Sequence, residues 1–587
     1  MPDTSSTPND WFMYHAGYGH GGNASKFSSL NSDSFKSGNF GLLHQIMIDG
    51  SILSVPAVVD GFIYVGLANS LQAKGSNGGS LQKYEVSSGN LICEFKWDID
   101  VKDRDSHGFT GMGCTPTVIN NCVYFIGFNA VLYCLKQDDL TLLWQTNLRY
   151  ADPAHNQPTI NILGMEAGYA PAAGWSSPTV VNMMEDGVEK HRIFLGVGEG
   201  ENPYLFSFIF CLDADSGDVV WIYCTCQYEE GKPNQVNQLP AQVVADPNNL
   251  PAMFTTFSGY EVTRGCSVWS AIAYDEETGY LYASTGQPAS PNNTTTFDTG
   301  LPSVGWSSGI LAIKALSGEF VAFTQMPAKT SYRPSDLDVD IGSACTLYTL
   351  PPSLGFPNPR KVVAVGCKNG GFMICEAHTL QLINSVSLLP KMNDGTQIPE
   401  IDLHPPGYQQ DMIGVHVPNE ISNINGGENY FGPFNTAAID PQTGTLFIGM
   451  GGPNYHFPGP GIDFNTTPFM KAIAWDSLAD KWPMDNSNPP KYSKVGASMY
   501  TNAGECGLSS PAVVNDVVLV ATTQVSIYAF LVEDGTLLWQ DYIGSPTTGF
   551  SGGYGYCLGP AIWDKYVVAG ALIQGDNGGV LNIYSLK

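Results

Sequence analysis

One short phrase recurs eight times along this chain. Each copy has a small or proline-containing start, two or three β-branched residues, a turn and an aromatic-rich strand, as in SVPAVVDGFIYVG from Ser54. The eight copies are spaced by 49 to 93 residues, with anchors at Pro56, Pro116, Pro178, Ala271, Cys345, Thr436, Pro511 and Pro560. A unit this short cannot bury a core alone. The repeats must therefore pack side by side and close into a ring.

The spacing fits a β-propeller, because a four-stranded blade takes roughly 40 to 50 residues and each interval then holds one blade plus an insertion. Several repeats continue into a second phrase, in which a turn of the Asp-x-x-Ser/Thr-Gly kind precedes a tryptophan. The tryptophans are Trp221, Trp539 and, after the degenerate turn DDLT, Trp144. Glycine supplies positive φ, and we expect the indoles to fill the space between neighbouring blades. The sequence predicts an all-β, eight-bladed β-propeller with tryptophan-containing blade repeats.

Composition supports one all-β domain. Turns are abundant, with 65 Gly and 39 Pro, and no long segment has a helical apolar period, so little helix is expected. We predict a disordered lead-in over residues 1–10 and a single propeller domain over residues 11–587. The apolar run YLFSFIFCL from Tyr204 is far shorter than the roughly 20 residues of a membrane helix. It is predicted to be a buried strand, and no membrane span is expected.

Charge and cysteine usage limit the partners and the compartment. The 26 basic and 54 acidic residues give a net charge of −28, which repels phosphate backbones and argues against nucleic-acid binding. Five cysteines within strand phrases are predicted to be small apolar fillers: Cys114, Cys122, Cys134, Cys211 and Cys367. Low charge content and Asn-x-Ser/Thr sites at Asn23, Asn292, Asn293 and Asn465 favour an exported protein, periplasmic or extracellular, over a cytoplasmic one. The chain opens without a signal sequence, which leaves a cytosolic protein or a processed mature form.

The common catalytic signatures are missing from the sequence: it has no HExxH, Walker loop, G-x-S-x-G or strand-linked GxGxxG. Its histidines form no convincing metal pair, and His15 and His20 are predicted to be surface or loop residues. A set of polar residues instead lies beside the strand phrases of consecutive repeats. In a closed ring, such residues can converge on the central channel.

With these features the chain resembles the quinoprotein alcohol dehydrogenases, eight-bladed propellers that hold pyrroloquinoline quinone (PQQ) and a metal ion on the axis. The resemblance covers nearly the whole chain, starting from DWFMYHAGYGHGGNAS at Asp10. It implies that Glu201 in LGVGEGEN ligates the metal, with Glu199 as the competitor. It also implies that Trp269 stacks under the quinone. Eighteen residues later Gln287 stands where the family has a metal-ligating asparagine, and its amide oxygen could still reach Ca²⁺.

The remaining implied residues lie in SDLDVDIGSA, GCKNGG and NGGENYFGP. Asp340 matches the family's catalytic aspartate and a metal ligand. In a second register Asp338 is the base and Asp340 an additional carboxylate, which favours a lanthanide over Ca²⁺. Lys368 matches the cation that contacts the quinone oxygens, and Asn429 matches an asparagine that hydrogen-bonds the cofactor. The choice of register is therefore also a choice of metal.

The resemblance implies oxidation of an alcohol or sugar hydroxyl. The aspartate would take the hydroxyl proton as hydride passes to the quinone, while the metal acts as a Lewis acid and Lys368 stabilises the reduced oxygen. No C-x-x-C-H haem site occurs in the sequence, so a separate cytochrome or copper protein is expected to accept the electrons. A monomer or homodimer is expected.

The chain departs from the family at Gln287 and in having no adjacent cysteine pair. The alternative is therefore a non-catalytic PQQ-like propeller acting as an extracellular scaffold or structural protein. Loops rich in Gly, Pro and Asn would be substrate lids in the enzyme and partner-binding loops in the scaffold.

Overall fold

A computed structural model describes the chain over residues 10–70, 78–98, 109–148, 174–198, 207–225, 238–240, 264–286, 288–289, 308–326, 341–353, 356–367, 370–388, 435–449, 470–482, 509–521, 526–543, 559–573 and 578–587. These residues form eight antiparallel sheets arranged as the blades of a propeller. The helices described are one α-helix, α1 (Ser32–Lys36), and one 3-10 turn (Tyr14–Ala16). The predicted fold, an all-β eight-bladed propeller with little helix, is confirmed.

Each blade is formed by strands that follow one another in the chain. After the N-terminal strand β1 (Phe40–Ile48), the first blade contains β2 (Ala57–Val59), β3 (Phe62–Ser70), β4 (Gly78–Glu85) and β5 (Leu91–Asp98), with β6 (Phe109–Gly111) paired to β3. The second contains β7 (Thr117–Ile119), β8 (Cys122–Ile126), β9 (Val131–Lys136) and β10 (Leu142–Asn147). The third contains β11 (Thr179–Glu185), β12 (Val188–Val197), β13 (Phe208–Asp213), β14 (Val219–Cys224) and β15 (Gln238–Pro240).

The fourth blade contains β17 (Ala273–Asp275), β18 (Tyr280–Ser284), β20 (Gly309–Lys314) and β21 (Phe320–Gln325). Next to it, β16 (Arg264–Gly265) and β19 (Pro288–Ala289) form a separate two-stranded sheet. The fifth contains β22 (Thr346–Leu350), β23 (Arg360–Gly366), β24 (Gly371–Glu376) and β25 (Leu382–Ser387). The sixth contains β26 (Ala438–Asp440), β27 (Thr445–Gly449) and β28 (Met470–Ala474). The seventh contains β29 (Ala512–Val514), β30 (Val517–Ala521), β31 (Ser526–Leu531) and β32 (Leu537–Tyr542).

The two ends of the chain close the ring within the eighth blade. Its strands β33 (Ala561–Trp563), β34 (Tyr566–Ile573) and β35 (Gly578–Leu586) come from the C-terminus, and β1 from the N-terminus is its outer strand. Phe40 pairs with Leu586 and Ile48 with Gly579 across this seam. The first strand of each blade is the inner one, because β33, β2, β7 and β11 contact each other in succession around the axis.

The register of the inner strands corrects two of the predicted anchors. Val58 pairs with Ile63 in the first blade, and Tyr274 pairs with Leu281 at the same position of the fourth. Ile272 is therefore the counterpart of Pro56, one residue after the predicted Ala271. The same reasoning replaces Thr436 by Ala437. These two copies lack the proline, and small residues occupy the neighbouring positions, so the sequence alone does not fix the anchor to a single residue.

Tryptophans of the outer strands lie between neighbouring blades, as predicted. The Trp144 indole Nε1 donates to the Ala214 carbonyl of the next blade at 3.1 Å, and Trp221 donates to Ala315 at 3.0 Å. Each indole covers the turn glycine of that next blade, Gly217 or Gly318. The turn-and-tryptophan phrase therefore contributes to two interfaces. Its glycine contacts the indole of the preceding blade, and its own tryptophan contacts the next blade.

Three blades have leucine where the others have that glycine. Leu140, Leu380 and Leu478 have φ between 54° and 59°, a left-handed conformation costing roughly 1–2 kcal/mol for a residue with a Cβ. All three side chains are buried in the core. Burying a leucine side chain contributes roughly 1.5–3 kcal/mol, which is enough to offset the backbone strain.

A matched pair of glycine substitutions measures the contribution of the tryptophan contact. Gly318 and Gly279 lie in turns of the same blade with φ of 66° and 70°. A Cβ at Gly318 would lie 2.7 Å from the Trp221 ring, whereas a Cβ at Gly279 would meet nothing within 4 Å. We expect Gly279→Ala to lower the free energy of unfolding by roughly 1 kcal/mol and Gly318→Ala by roughly a further 1–3 kcal/mol in urea denaturation. Equal losses would show that the indole does not depend on this glycine.

The structure also describes the predicted buried strand and the predicted filler cysteines. The run YLFSFIFCL overlaps β13, whose residues Phe208 to Leu212 are buried, as predicted. No helix in the described ranges is both long and apolar enough to span a membrane. The predicted filler cysteines Cys114, Cys134, Cys211 and Cys367 are buried, but Cys122 is half-exposed because β8 begins there at the surface.

Candidate axial site

The N-terminal residues Asp10–Ser28, here named the axial segment, lie along the inner strands. Carbonyl oxygens of the segment accept backbone hydrogen bonds from six of the eight inner strands, with N···O distances of 2.7 to 2.9 Å. The donor and acceptor pairs are Val58 and Trp11, Val118 and Phe12, Tyr274 and Tyr18, Leu347 and Gly19, Ile439 and Gly21, and Val513 and Gly22. The DWFMYHAGYGHGGNAS phrase is therefore a strap that joins the blades around the axis.

Both histidines of the segment are buried outside the strands, so of the prediction that His15 and His20 are surface or loop residues the surface part is wrong. His15 places Nδ1 and Nε2 each 2.7 Å from a carbonyl oxygen, those of His20 and Pro511. His20 places Nδ1 3.2 Å from the Cys345 carbonyl, and its Nε2 is buried with no hydrogen-bond partner among the described residues. The sequence signal was four glycines within six residues. A Cβ at Gly22 would lie 2.5 Å from the His15 ring and one at Gly19 3.2 Å from the Leu347 carbonyl oxygen, so glycine allows the close approach at these two positions.

Burial of these imidazoles predicts an acid-labile fold. Burial, followed by the neighbouring His15, lowers the pKa of His20 from 6.5 to about 3. The stability from neutral His20 is therefore complete above pH 6.5 and lost as the pH falls from 6.5 towards 3. Between about pH 7.5 and about pH 5.5 we expect the wild type to lose about 1.4 kcal/mol more unfolding free energy than His20→Asn. Urea denaturation at both pH values measures this, and an identical pH dependence of the two proteins would contradict it.

Asn23, one of the predicted glycosylation sites, has its side chain engaged within the fold. Its Nδ2 donates to the Ile439 carbonyl at 2.8 Å, and its Oδ1 accepts from the Ser25 backbone at 2.9 Å. A glycan would remove the first of these bonds, so this sequon gives no support to export. The other three, at Asn292, Asn293 and Asn465, lie outside the described residues.

Trp269 lies at the face of the ring on which the inner strands begin, here named the upper face. It precedes β17 by four residues and is half-buried. In this it differs from Trp144 and Trp221, which belong to outer strands and lie between blades. Trp269 thus lies at the same end of the ring as the segments that flank the other predicted site residues, and part of its surface is accessible.

The backbone that carries Trp269 is fixed by its neighbours. A Cβ at Gly196 would lie 1.8 Å from the Val268 carbonyl oxygen, so β12 of the third blade packs against this segment more closely than any side chain would permit. On the other side, Ser270 Oγ lies 2.6 Å from Ser284 Oγ, which donates to the Ser343 carbonyl of the fifth blade at 2.7 Å. Three successive blades therefore hold the segment in place at the upper face.

The other predicted site residues lie outside the described residues: Glu201, Gln287, Asp338, Asp340, Lys368 and Asn429, together with Glu199. Their chain neighbours are described. Gly198 and Gly286 follow the second strands of their blades, as Cys367 does, whereas Ile341 and Asn435 precede inner strands. Because successive strands are antiparallel, both sets of positions belong to the upper face. The topology thus brings the flanks of all these residues to one end of the ring.

The described part of this end has one aromatic surface suited to a planar ligand, the half-buried indole of Trp269. The hydroxyl groups of Ser270 and Tyr14 at this end are hydrogen-bonded within the protein, to Ser284 and to Thr436 and Ser510. No cluster of three or more His, Cys, Asp or Glu able to hold a metal occurs within the described ranges. The oxygen ligands implied by the sequence are all among the residues outside them.

Comparison with known proteins places this fold among quinoproteins, although no family model matches the sequence. The chain is 25% identical over 369 residues to quinohemoprotein alcohol dehydrogenase ADH IIB of Pseudomonas putida, covering 60% of this chain and 49% of that protein. It is 20% identical over 558 residues to the quinohemoprotein alcohol dehydrogenase of Comamonas testosteroni, covering 89% and 67%. The first alignment therefore spans about half the length of the relative.

Solved structures agree over the whole ring. The crystal structure of the Comamonas testosteroni quinohemoprotein alcohol dehydrogenase superposes with a TM-score of 0.63 at 17% identity, covering 98% of this chain and 80% of that one. A europium-containing methanol dehydrogenase superposes with a TM-score of 0.60 at 14% identity, covering 99% of both. The resemblance to quinoprotein alcohol dehydrogenases read from the sequence is thus confirmed, at low identity and across nearly the full chain.

Proposed function

We propose that this protein is an oxidoreductase that oxidises an alcohol or sugar hydroxyl with PQQ and a metal ion bound at the upper face. The observation that carries the proposal is the placement of Trp269, a half-buried indole at the axial end of an inner strand where the flanking segments of the predicted site converge. The relatives named above, which are alcohol dehydrogenases, support the same reaction class. When bound, the quinone would supply the hydride acceptor.

Residues of this chain from several blades would hold the cofactor and the metal. Trp269 would fix the ring plane by stacking. Lys368 would donate to a quinone oxygen, and Asn429 would hydrogen-bond the cofactor. The cation would be ligated through carboxylate and amide oxygens, the donors that Ca²⁺ prefers, by Glu201, Gln287 and Asp340. A lanthanide is the alternative if Asp338 and Asp340 both face the site.

The chain's own chemical step is a proton transfer. The Asp340 carboxylate would accept the proton of the substrate hydroxyl, for which it must be ionised and within hydrogen-bond reach. Lys368 would stabilise negative charge on the oxygen that it contacts, an effect that is larger in a site from which water is excluded. In the alternative register Asp338 takes the role of base.

Electrons would leave to a separate acceptor protein. The net charge of −28 favours a basic carrier, since opposite charges raise the association rate. A cytochrome or a copper protein has the required redox chemistry. The periplasm or the extracellular space is the compartment we propose.

Dye-coupled activity tests this function. The purified protein is incubated with PQQ and either Ca²⁺ or La³⁺, and the reduction of an artificial dye is followed with a panel of alcohols and sugars. We expect substrate-dependent dye reduction that requires both PQQ and one of the two metals. Absence of turnover under both metals would favour the scaffold alternative, in which the loops rather than the axis carry the function.

A further inference from the structure

Tyr14 of the axial segment reaches a network of hydroxyl groups just below the upper face. Its hydroxyl oxygen lies 2.9 Å from Thr436 Oγ1 and 3.0 Å from Ser510 Oγ. These two residues lie two positions before the inner strands of the sixth and seventh blades. Tyr14 is therefore placed between two blades at the axial edge of the ring.

Backbone donors occupy the same two hydroxyl groups. The Ala344 N–H donates to Thr436 Oγ1 at 2.9 Å, and the Thr436 N–H donates to Ser510 Oγ at 3.1 Å. Ala344 lies four residues after Asp340, and Thr436 lies seven residues after Asn429. The network thus joins the axial segment to the backbone that leads directly into two predicted site residues.

The three hydroxyl groups have one more proton than the contacts between them require. Tyr14, Thr436 and Ser510 carry one hydroxyl proton each, and the two contacts between them use two of the three. Thr436 and Ser510 are almost fully buried, whereas Tyr14 is half-buried. When Thr436 and Ser510 both donate to Tyr14, the phenolic proton is the one that remains. The remaining proton then belongs to the one member of the network that is partly exposed.

We propose that Tyr14 is a ligand-binding residue whose hydroxyl donates a hydrogen bond to an oxygen of the axial ligand, an anionic ortho-quinone. The inference rests on the proposed function and adds a residue from the axial segment to it. Burial raises the pKa of Tyr14, so that the hydroxyl stays protonated and remains a donor at neutral pH. Tyr14 lies two to three blades around the ring from Trp269, which leaves the axis between them for a planar ligand.

The test compares two identical substitutions in the axial segment. Tyr14→Phe removes the hydroxyl at the upper face. Tyr18→Phe removes one whose oxygen accepts from the Asn182 backbone in the third blade, away from that face. For each full-length protein, the dissociation constant of PQQ is measured by titration in Ca²⁺, and unfolding of the PQQ-free protein is measured in urea.

We expect Tyr14→Phe to raise the PQQ dissociation constant by roughly 10-fold or more, because hydrogen bonds to charged groups are among the strong ones. We expect Tyr18→Phe to leave that constant within about twofold, with unfolding affected similarly in the two variants. Tight binding by the wild type and an unchanged constant in Tyr14→Phe would overturn this inference alone. Failure of the wild type to bind PQQ would overturn the inference and the proposed function together.

Discussion

Replacing Asp340 by asparagine is expected to lower kcat for alcohol oxidation by roughly 10²- to 10⁴-fold. Asparagine keeps the size and one oxygen of the side chain but cannot accept the substrate proton, and general bases contribute rate enhancements of this order. The measurement is dye-coupled turnover at saturating alcohol, PQQ and Ca²⁺. Because the new amide side chain retains an oxygen that can face the cation, loss of kcat with retained PQQ binding is the expected signature.

Asp338→Asn is the matched control for this prediction. It makes the same chemical change two residues earlier in the same segment. If Asp340 is the base, Asp338→Asn retains most of the Ca²⁺-dependent kcat. If Asp338→Asn abolishes turnover, the second register is correct, and activity of the wild type should then prefer La³⁺ to Ca²⁺. Full activity of both variants would show that neither aspartate is the base.

Replacing Trp11 by alanine is expected to destabilise the ring by about 3–5 kcal/mol, the usual cost of truncating a buried tryptophan. Trp11 is fully buried, and its core cluster includes Val58 of the first blade, Val514 of the seventh and Ile562 of the eighth. Its carbonyl also accepts from the Val58 N–H at 2.9 Å. The substitution therefore leaves a cavity between the axial segment and the core cluster shared by the first, seventh and eighth blades. Urea denaturation of the PQQ-free protein measures the loss.

Trp11→Phe separates packing from hydrogen bonding. The indole Nε1 of Trp11 is buried without a hydrogen-bond partner in the described part of the chain, so phenylalanine loses no bond that the structure contains. We expect a loss clearly smaller than that of Trp11→Ala. Equal losses from Phe and Ala would show that packing of an aromatic ring in this cluster is not what Trp11 contributes.

The architecture could be predicted because each blade has a recognisable local pattern. A small residue or proline, a pair of β-branched residues and a turn define an inner strand wherever they occur, and Trp221 with Gly318 shows how one repeat docks on the next. The closure could not be predicted in the same way. Pairing of Phe40 with Leu586 joins opposite ends of the chain, and no local pattern encodes it.

The axial segment escaped prediction for a related reason. Its hydrogen bonds to the inner strands are made by backbone carbonyls such as those of Gly19 and Gly21, so the identity of the side chains does not reveal them. His15, Ala16 and His20 adopt positive φ, which propensity alone would not assign to these residues. Tertiary contacts with six blades impose that conformation. The buried state of both histidines follows from it.

The candidate site could be predicted only as a set of residues in order. Topology supports the idea that their segments meet at the upper face, since inner strands begin there and second strands end there. Trp269 is the predicted site residue within the described ranges, where it is half-buried at the upper face, and its stacking role stays a proposal. Asp340, Gln287 and the other site residues remain proposals, because all of them lie outside the described residues.

The most direct test of the central claim is the equilibrium binding of PQQ to the wild type and to Trp269→Ala in Ca²⁺ or La³⁺. The account predicts saturable, metal-dependent binding by the wild type, weakened roughly 10-fold in Trp269→Ala because an aromatic platform contributes about 0.5–1.5 kcal/mol beyond the area that it buries. Trp221→Phe, which alters an indole between blades, should bind as the wild type does. Absence of PQQ binding to the wild type under either metal would contradict the account.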